Sequence, residues 1–226
     1  MGALKTEKPH IIVAIDGPSG TGKSTTAKMV AKDLGLTYLD TGAMYRAITF
    51  AALEKNIPPT NPEALAKLLE VTDIRFGKGN RILIDGIDRE AEIRSKRVTE
   101  AVSPYSAIPE VRKILTERQR RIAEKSSCIL DGRDIGTTVF PHADFKFFLV
   151  TDLKVRAERR YRECVEKGIP MTLAEIEKNL AERDRMDSSR ATAPLAKAAD
   201  AIEIDTTQLS IQQQVRMIED HVGVVA

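Results

Sequence analysis

Short apolar runs alternate with longer amphipathic segments along most of this chain. Five such runs lie at residues 11–15, 37–39, 128–130, 145–150 and 201–204. Polar residues do not alternate within them as they would in a strand with one face in water, so both faces of the predicted sheet are covered. Strands of this kind, separated by helices, are typical of an α/β fold with a doubly wound, parallel, five-stranded sheet.

Helices are indicated by apolar spacing and by capping boxes. Apolar positions recur at helical intervals in three segments, residues 23–34, 43–55 and 62–71. In a capping box, a Ser or Thr and a Glu or Gln three residues later satisfy free backbone donors at a helix start. Two segments have this spacing: Thr172 with Glu175, and Ser210 with Gln213. The pattern therefore predicts helices that begin near Leu173 and Ile211.

One segment, about residues 72–107, departs from the strand and helix alternation. It contains two short apolar stretches, 74–76 and 81–84, joined by turn-forming residues. Hairpin chemistry of this kind is foreign to a strand-helix-strand crossover. We interpret it as a small subdomain inserted into a core of residues 10–71 and 108–226. The alternative is a plain surface excursion.

A second unusual segment lies at about residues 159–171. It is basic and contains the sequence Gly168-Ile169-Pro170. We interpret this segment as a mobile lid. With the insert and the lid included, residues 1–226 form a single domain.

Charge and aromatic content argue against a nucleic-acid partner. The formal net charge is only +2, and aromatic residues make up 4% of the chain. The basic clusters alternate with glutamates, which favours solvated helix faces. Their members are Arg112, Lys113, Arg118, Arg120, Arg121, Lys154, Arg156, Arg159, Arg160 and Arg162.

Cysteine content and hydropathy predict a cytoplasmic protein. Cys128 and Cys164 belong to no ligand cluster, so we expect both to be reduced and inert. Residues 1–10 are polar and lack the apolar centre of a signal peptide, and no run is long enough to cross a bilayer. We expect a monomer without membrane contact.

The most specific motif is a glycine-rich loop that directly follows the first apolar run. Its sequence, Gly-Pro-Ser-Gly-Thr-Gly-Lys-Ser from Gly17 to Ser24, fits the P-loop pattern. Backbone N–H groups converge on nucleotide phosphates where no Cβ intervenes, and the following helix directs its positive end to the same place. Lys23 reaches the β- and γ-phosphates in such loops, and Ser24 offers a hydroxyl to Mg²⁺. The predicted nucleotide-binding residues are Gly17, Pro18, Ser19, Gly20, Thr21, Gly22, Lys23, Ser24 and Thr25.

Three charged loops are interpreted as following predicted strands at the carboxyl edge of the sheet, where they would surround one cleft. They span residues 40–46, 131–138 and 182–190. Ligands of open α/β sheets bind at the carboxyl ends of the strands. Each loop alone is equally consistent with a helix cap or a surface ion pair. Together with a P-loop, they indicate a site where arginines neutralise phosphate charge shared by a donor and an acceptor.

At these residues the chain resembles the bacterial cytidylate kinases, a branch of the nucleoside monophosphate kinases. The matching stretches are IDGPSGTGKST from Ile15, LDTGAMYRA from Leu39, DGRDIGTTVFP from Asp131, and ERD…DSSR…APL…AADA…IDTT between Glu182 and Thr207. The resemblance covers essentially the whole chain, and it implies that the insert at about residues 72–107 is an enlarged acceptor-binding region. Adenylate kinases share the P-loop but have Asp-Gly-Phe-Pro-Arg where this chain has Asp-Gly-Arg-Asp. Ser24 is a departure, because that position is often Gly in the family.

The resemblance implies ATP-dependent phosphorylation of CMP and dCMP with Mg²⁺, and it implies roles for individual residues. Those implied to hold the acceptor phosphate are Arg46, Arg133, Thr41 and Tyr45. Those implied to read cytosine are Ser103, Arg112, Asp134 and Arg190, and those near the ribose are Arg183 and Asp187. The implied catalytic residues are Lys23, Arg133 and Arg183 with Arg159 or Arg160, while Ser24 and waters hold the metal. The division between base and ribose contacts stays open. Asp134 provides a carboxylate that accepts from N4–H₂ of cytosine, and Arg112 provides donors for N3 and O2.

Two other functions remain open at this point. A kinase for UMP, dTMP or a non-nucleotide alcohol would use the same loops. A P-loop GTPase or nucleotide-dependent regulator is the alternative of a different class, although the chain lacks the Asn-Lys-x-Asp guanine signature.

Overall fold

A computed structural model describes residues 10–166 and 168–223 of the chain. Most of the polar N-terminal segment and Lys167 of the predicted lid lie outside the described residues. The described helices are α1 (Lys23–Asp33), α2 (Thr41–Glu54), α3 (Pro62–Val71), α4 (Lys96–Ser106), α5 (Pro109–Ala123), α6 (Leu153–Glu166), α7 (Leu173–Ser188) and α8 (Ile211–Val222). The described strands are β1 (Ile12–Asp16), β2 (Thr37–Asp40), β3 (Ile74–Phe76), β4 (Ile82–Ile84), β5 (Ile87–Asp88), β6 (Cys128–Asp131), β7 (Phe145–Val150) and β8 (Ile202–Asp205).

The main sheet has five parallel strands in the order β2-β6-β1-β7-β8. All five coincide with the predicted strands to within a residue or two. Apolar side chains on both sheet faces are buried: Val13 and Ile15 join one cluster, with α1 and α8, and Ala14 joins another beside α5. The predicted doubly wound α/β fold is confirmed. Because β1 lies at the centre of the sheet, the P-loop that follows it lies over the middle of the carboxyl edge.

Local capping explains where the helices begin. Both predicted capping boxes form, at the start of α7 and of α8. Helix α2 begins earlier than its apolar spacing predicts. The Asp40 side chain accepts a hydrogen bond from the Ala43 amide at 2.9 Å, and this cap extends the helix back to Thr41.

The segment 72–107 contains a second, antiparallel sheet of three strands in the order β3-β4-β5. Two 3-10 turns, at Lys78–Asn80 and Glu92–Arg94, and helix α4 complete it. Its apolar side chains, such as Ile82 and Val102, belong to the same buried cluster as the side chains of α2, α3 and α5. The insert therefore shares its core with the main body. Its acceptor-binding role stays a prediction.

The predicted lid corresponds to the end of α6 and the connection to α7. The two helices pack through Ala157, Cys164, Ile176 and Leu180, so they form a helical hairpin. Motion of this hairpin stays a prediction. Both cysteines are free and buried. No helix within residues 10–166 and 168–223 combines the length and the apolar character that a membrane crossing requires.

Candidate active site

Three neighbouring strands end in an aspartate at the carboxyl edge of the sheet. These are Asp16 on β1, Asp40 on β2 and Asp131 on β6. The P-loop leaves β1 immediately after Asp16. Gly17 has a φ of +143°, and a Cβ at this position would collide with the Leu149 carbonyl. Glycine is therefore required where the loop turns away from the sheet.

Lys23 is buried at the start of α1, and its ammonium group lies within the loop. It donates to the Pro18 carbonyl at 2.5 Å and to the Thr21 hydroxyl at 3.2 Å. Burial and the neighbouring guanidinium of Arg133 hold its pKa well below the usual range. A buried cation of this kind is stabilised by an anion in the same cavity.

Ser24 and Tyr38 both donate to the buried carboxylate of Asp131. The Ser24 hydroxyl lies 2.6 Å from Oδ2 and the Tyr38 hydroxyl 2.7 Å from Oδ1. Burial, together with the nearby Asp40 carboxylate, raises the pKa of Asp131. Each of its oxygens is thus fixed by a hydroxyl donor, and Ser24 faces a carboxylate across the mouth of the P-loop.

A cleft of about 540 Å³ opens between the P-loop, the insert and the helical hairpin. It is lined by Lys23 and by five arginines: Arg46, Arg94, Arg133, Arg159 and Arg183. Burial and neighbouring guanidiniums lower the pKa of Arg183 to about 9 and that of Arg46 to about 10. The Arg183 Nε is also buried without a hydrogen-bond partner among the described residues. The same cleft is lined by three acidic residues, Asp40, Asp131 and Glu163, so basic side chains outnumber acidic ones, and the excess of positive charge fits a polyphosphate ligand.

A buried network of charged residues lies beside this cleft. The side chains of Arg112 and Asp134 form an ion pair with both groups almost fully buried. Arg133 donates through Nε to Asp187 at 2.9 Å, and Arg190 pairs with the other oxygen of the same carboxylate.

Tyr45 and Ser106 extend the network. The Arg112 guanidinium lies 5.3 Å from the centre of the Tyr45 ring, and burial raises the pKa of that phenol to about 12. Arg190 donates to the Ser106 hydroxyl at 2.9 Å, and Arg112 donates to the Ser106 carbonyl. Sequence-predicted acceptor residues from four separate segments are therefore adjacent in space.

The remaining predicted residues lie at the edges of this region. Thr41 donates to the Asp131 carbonyl at 2.7 Å, and Ser103 is buried on α4. Arg159 donates to the Thr206 carbonyl at 2.7 Å and lines the cleft. Arg160 pairs with Glu163 on the hairpin surface. A contact of either hairpin arginine with a transferring phosphate stays a prediction.

The interpretation of the basic clusters as solvated helix faces is wrong at two positions. Arg112 is 3% exposed and Arg156 is 6% exposed. Arg112 pairs with Asp134, and Arg156 donates to the Ser19 carbonyl and to Asp184. The spacing of charges along the chain cannot distinguish an arginine that pairs with a buried carboxylate from one that lies in water, because the carboxylate comes from a distant segment.

Four residues of the site were missed from the sequence: Asp131, Arg94, Ser106 and Asp184. Asp131 carries a usable signal, since it ends an apolar run as Asp16 and Asp40 do. Arg94, which lies in the insert, donates to the Asp40 carboxylate at 2.9 Å, and the Asp184 carboxylate accepts from the Ser19 amide at 3.3 Å. Nothing in the local sequence distinguishes Arg94 or Ser106 from ordinary surface residues. Asp184 lies in the charged segment 182–190, which was predicted to be a loop after a strand but is mostly the end of helix α7.

Comparisons with known proteins identify the family of the chain. The family model described as cytidylate kinase matches residues 13–223. The chain belongs to the cytidylate kinase family. It is 49% identical over 209 residues to a cytidylate kinase from Clostridium tetani, with 92% of each chain covered. It is 46% identical over 213 residues to a cytidylate kinase from Halalkalibacterium halodurans, covering 93% of this chain and 96% of that one.

A solved structure supports the fold. An uncharacterized protein from Eubacterium ventriosum aligns with a TM-score of 0.52 at 13% identity, covering 96% of this chain and 99% of that chain. At this identity the likeness concerns the fold alone. The family membership rests on the sequence comparisons, and the residues that the family model matches, 13–223, include both the P-loop and the strand-end loops.

Proposed function

We propose that this protein transfers the γ-phosphoryl group of ATP to CMP, and to dCMP, and so forms the corresponding diphosphates for pyrimidine nucleotide metabolism. The observation that carries the proposal is a single cleft that joins a P-loop to a cluster of arginines. Membership of the cytidylate kinase family supports the choice of acceptor.

The donor nucleotide is assigned to the P-loop. Residues 17 and 19–25 supply backbone N–H groups to its phosphates, and Lys23 supplies a positive charge to the β- and γ-phosphates. Lys23 is held by two contacts within its own loop. It therefore needs little reorganisation to stabilise the charge that develops in the transition state.

The acceptor phosphate is assigned to Arg46 and Arg133, with Thr41 and Tyr45 in the same pocket, and Arg183 is assigned to the transferring phosphoryl group and the ribose edge. These three arginines come from α2, from the loop after β6 and from α7, and they line one cleft. Neutralising two negatively charged nucleotides at short range is the main electrostatic task of this reaction. The acceptor phosphate is itself an anionic nucleophile, so no general base is assigned.

The acceptor base is assigned to Arg112, Asp134, Ser103 and Arg190. A carboxylate accepts from the exocyclic amine of cytosine, whereas uracil would present a carbonyl to it. Burial raises the pKa of Asp134, while Arg112 and Arg190 favour its ionised form. Asp187 pairs with Arg133 and Arg190, so we assign it to the ribose edge of the same pocket.

The residues present fit a Mg²⁺ ion at the mouth of the P-loop. Ser24 and Asp131 supply a hydroxyl and a carboxylate that already contact one another. Oxygen ligands from one or two protein groups, with phosphates and waters, are typical of Mg²⁺ in nucleotide sites. When bound, the ion neutralises charge on the β- and γ-phosphates.

We assign acceptor binding to the insert, at about residues 72–107, and water exclusion to the lid at about residues 159–171. Closure of these segments over the substrates would keep water from accepting the phosphoryl group. We further propose a monomeric enzyme of the cytoplasm. One chain supplies every residue assigned here, and two free cysteines fit a reducing compartment.

Product identification tests the proposed function. The protein is incubated with γ-labelled ATP, Mg²⁺ and CMP, and the products are separated by ion-exchange chromatography. Labelled CDP and an equal amount of ADP are expected, while Lys23→Met under the same conditions forms both at a rate lower by roughly 10³-fold or more. Label released only as inorganic phosphate would contradict the proposal and favour a nucleotide hydrolase.

A further inference from the structure

Asp16 is a buried carboxylate that the proposed mechanism does not use. It is the last residue of β1 and is 5% exposed. Oδ1 accepts a hydrogen bond from the Ile135 amide at 2.8 Å, and Oδ2 accepts one from the Gly136 amide at 2.7 Å. Both contacts cross from the strand before the P-loop to the loop after β6, more than a hundred residues away in the chain.

The two amides belong to the start of a single π-helical turn, Ile135–Val139. The first N–H groups of a helical turn have no partner within the turn, and the preceding residue ordinarily caps them with its side chain. Here that residue is Asp134, whose side chain makes no capping bond. Its carboxylate instead pairs with Arg112 in the acceptor pocket.

Asp16 therefore performs the capping that Asp134 does not. A buried N–H without a partner is strongly destabilising, so these amides need another acceptor when Asp134 does not cap them. The substitute comes from the residue next to Gly17, which begins the P-loop. Two short hydrogen bonds thus tie the donor loop to the backbone that carries Arg133 and Asp134.

Charged groups from helix α1 and from the loop after β6 act on the Asp16 carboxylate. Burial raises its pKa to about 7, against the effect of the two amides. The other charged groups that act on it are the Asp134 carboxylate, which raises the pKa, and the Lys23 ammonium, which lowers it. Across Gly136 lies the aliphatic part of Lys146, whose ammonium is paired with Asp200. A Cβ at Gly136 would lie 3.2 Å from Lys146 Cδ and 3.5 Å from Asp16 Oδ2, so Gly136 packs closely between these two side chains.

We propose that Asp16 is a positioning residue that frees Asp134 to read the acceptor and sets the distance between the acceptor loop and the P-loop. This inference rests on the proposed function, because it assigns Asp134 to the acceptor. Asp16 touches no substrate in this account. Its effect on the reaction passes through the backbone of residues 134–136.

The test compares Asp16→Asn with a matched control, Asp144→Asn. Asp144 accepts from the Ile12 amide at 2.8 Å, so it makes the same kind of bond at the opposite end of β1, exposed and away from the cleft. The Asn side chain replaces one acceptor oxygen with an N–H₂ group. This group cannot accept a hydrogen bond from a backbone N–H, so one of the two contacts is lost. KM and kcat are measured for ATP, CMP and UMP in the wild-type protein and in both variants.

We expect Asp16→Asn to raise KM for CMP by roughly ten- to a hundredfold, since small misplacements of binding groups have effects of this size. KM for ATP stays unchanged, and the preference for CMP over UMP narrows. Asp144→Asn changes none of these values. Equal increases in KM for ATP and CMP, or an unchanged KM for CMP, would overturn the inference.

Amide hydrogen exchange in the wild-type protein gives a second readout that needs no variant. The Ile135 and Gly136 amides should exchange slowly, like those of the central strands. If they exchange as fast as amides in open loops, Asp16 does not hold the turn and the inference is wrong. This measurement decides the matter if Asp16→Asn fails to fold. Failure of the wild-type protein to phosphorylate CMP would refute the proposed function, and the exchange rates would still show whether Asp16 holds the turn.

Discussion

Replacing Asp187 by Asn tests the charge balance of the acceptor pocket. Asp187 is 1% exposed near the end of α7, and its carboxylate pairs with Arg133 and Arg190. Burial alone would raise its pKa, but Arg133, Arg190 and Arg183 outweigh that effect and hold the pKa below the usual range. Asn preserves the size of the side chain and removes the negative charge that these arginines share.

The size of the effect follows from the burial of the partners. Removing one member of a buried ion pair costs about 3–5 kcal/mol, because it leaves an uncompensated charge. The Arg133 side chain is 17% exposed, so part of its charge is solvated and we expect the lower end of this range, about 3 kcal/mol. For a chain of 226 residues, each kcal/mol shifts Tm by about 2–4 °C. A decrease of about 6–12 °C is therefore predicted.

Thermal and urea unfolding, followed by circular dichroism, measures this loss, with Asp88→Asn as the control. Asp88 also pairs with an arginine, Arg81, but both side chains are about half exposed, so removing its charge should destabilise the protein much less than removing that of Asp187. A carboxylate with a lowered pKa stabilises the fold above the pKa of the unfolded chain, and this stabilisation is lost as pH falls. The difference between wild type and Asp187→Asn should therefore shrink below about pH 4. The reasoning is refuted if Asp187→Asn destabilises no more than Asp88→Asn at pH 7, or if acidification leaves the difference intact.

Three further predictions concern activity. Lys23→Met should lower kcat by roughly 10³-fold or more while the fold is retained; wild-type turnover, measured as ADP formation, would exclude the assigned role. Arg133→Ala should lower kcat/KM for CMP far more than it weakens ATP binding, and equal losses in a paired titration would make Arg133 a structural residue. Asp134→Ala should lower kcat/KM for CMP and reduce the CMP/UMP ratio together; a ratio that stays constant would show that Asp134 does not read the base.

Most of the fold could be predicted because its signals are local. Apolar runs without polar alternation gave the central strands, and capping boxes gave the starts of α7 and α8. Strand β5 has only two residues and was missed, since its pairing with β4 rather than its own sequence creates it. The start of α2 was misplaced because Asp40 contributes a cap from the preceding strand.

The site was predictable where one segment carries the chemistry and less so where several segments meet. The P-loop could be read directly from residues 17–25. The roles of Arg112 and Asp134 depended on a resemblance, because local charge alternation indicates solvent for Arg112. Asp16 and Asp131 were given no role, since hydrogen bonds to distant segments define what their carboxylates do.

The most direct test of the central claim is a comparison of kcat/KM for CMP, dCMP, UMP and AMP as acceptors with saturating MgATP. Our account predicts that CMP is favoured over UMP by up to about 10⁴-fold, because uracil would leave buried polar groups unpaired. It also predicts that dCMP is a substrate and that AMP is at most a poor one. Equal efficiency for CMP and UMP, or faster turnover of AMP, would contradict the assignment of the Arg112 and Asp134 pocket to cytosine.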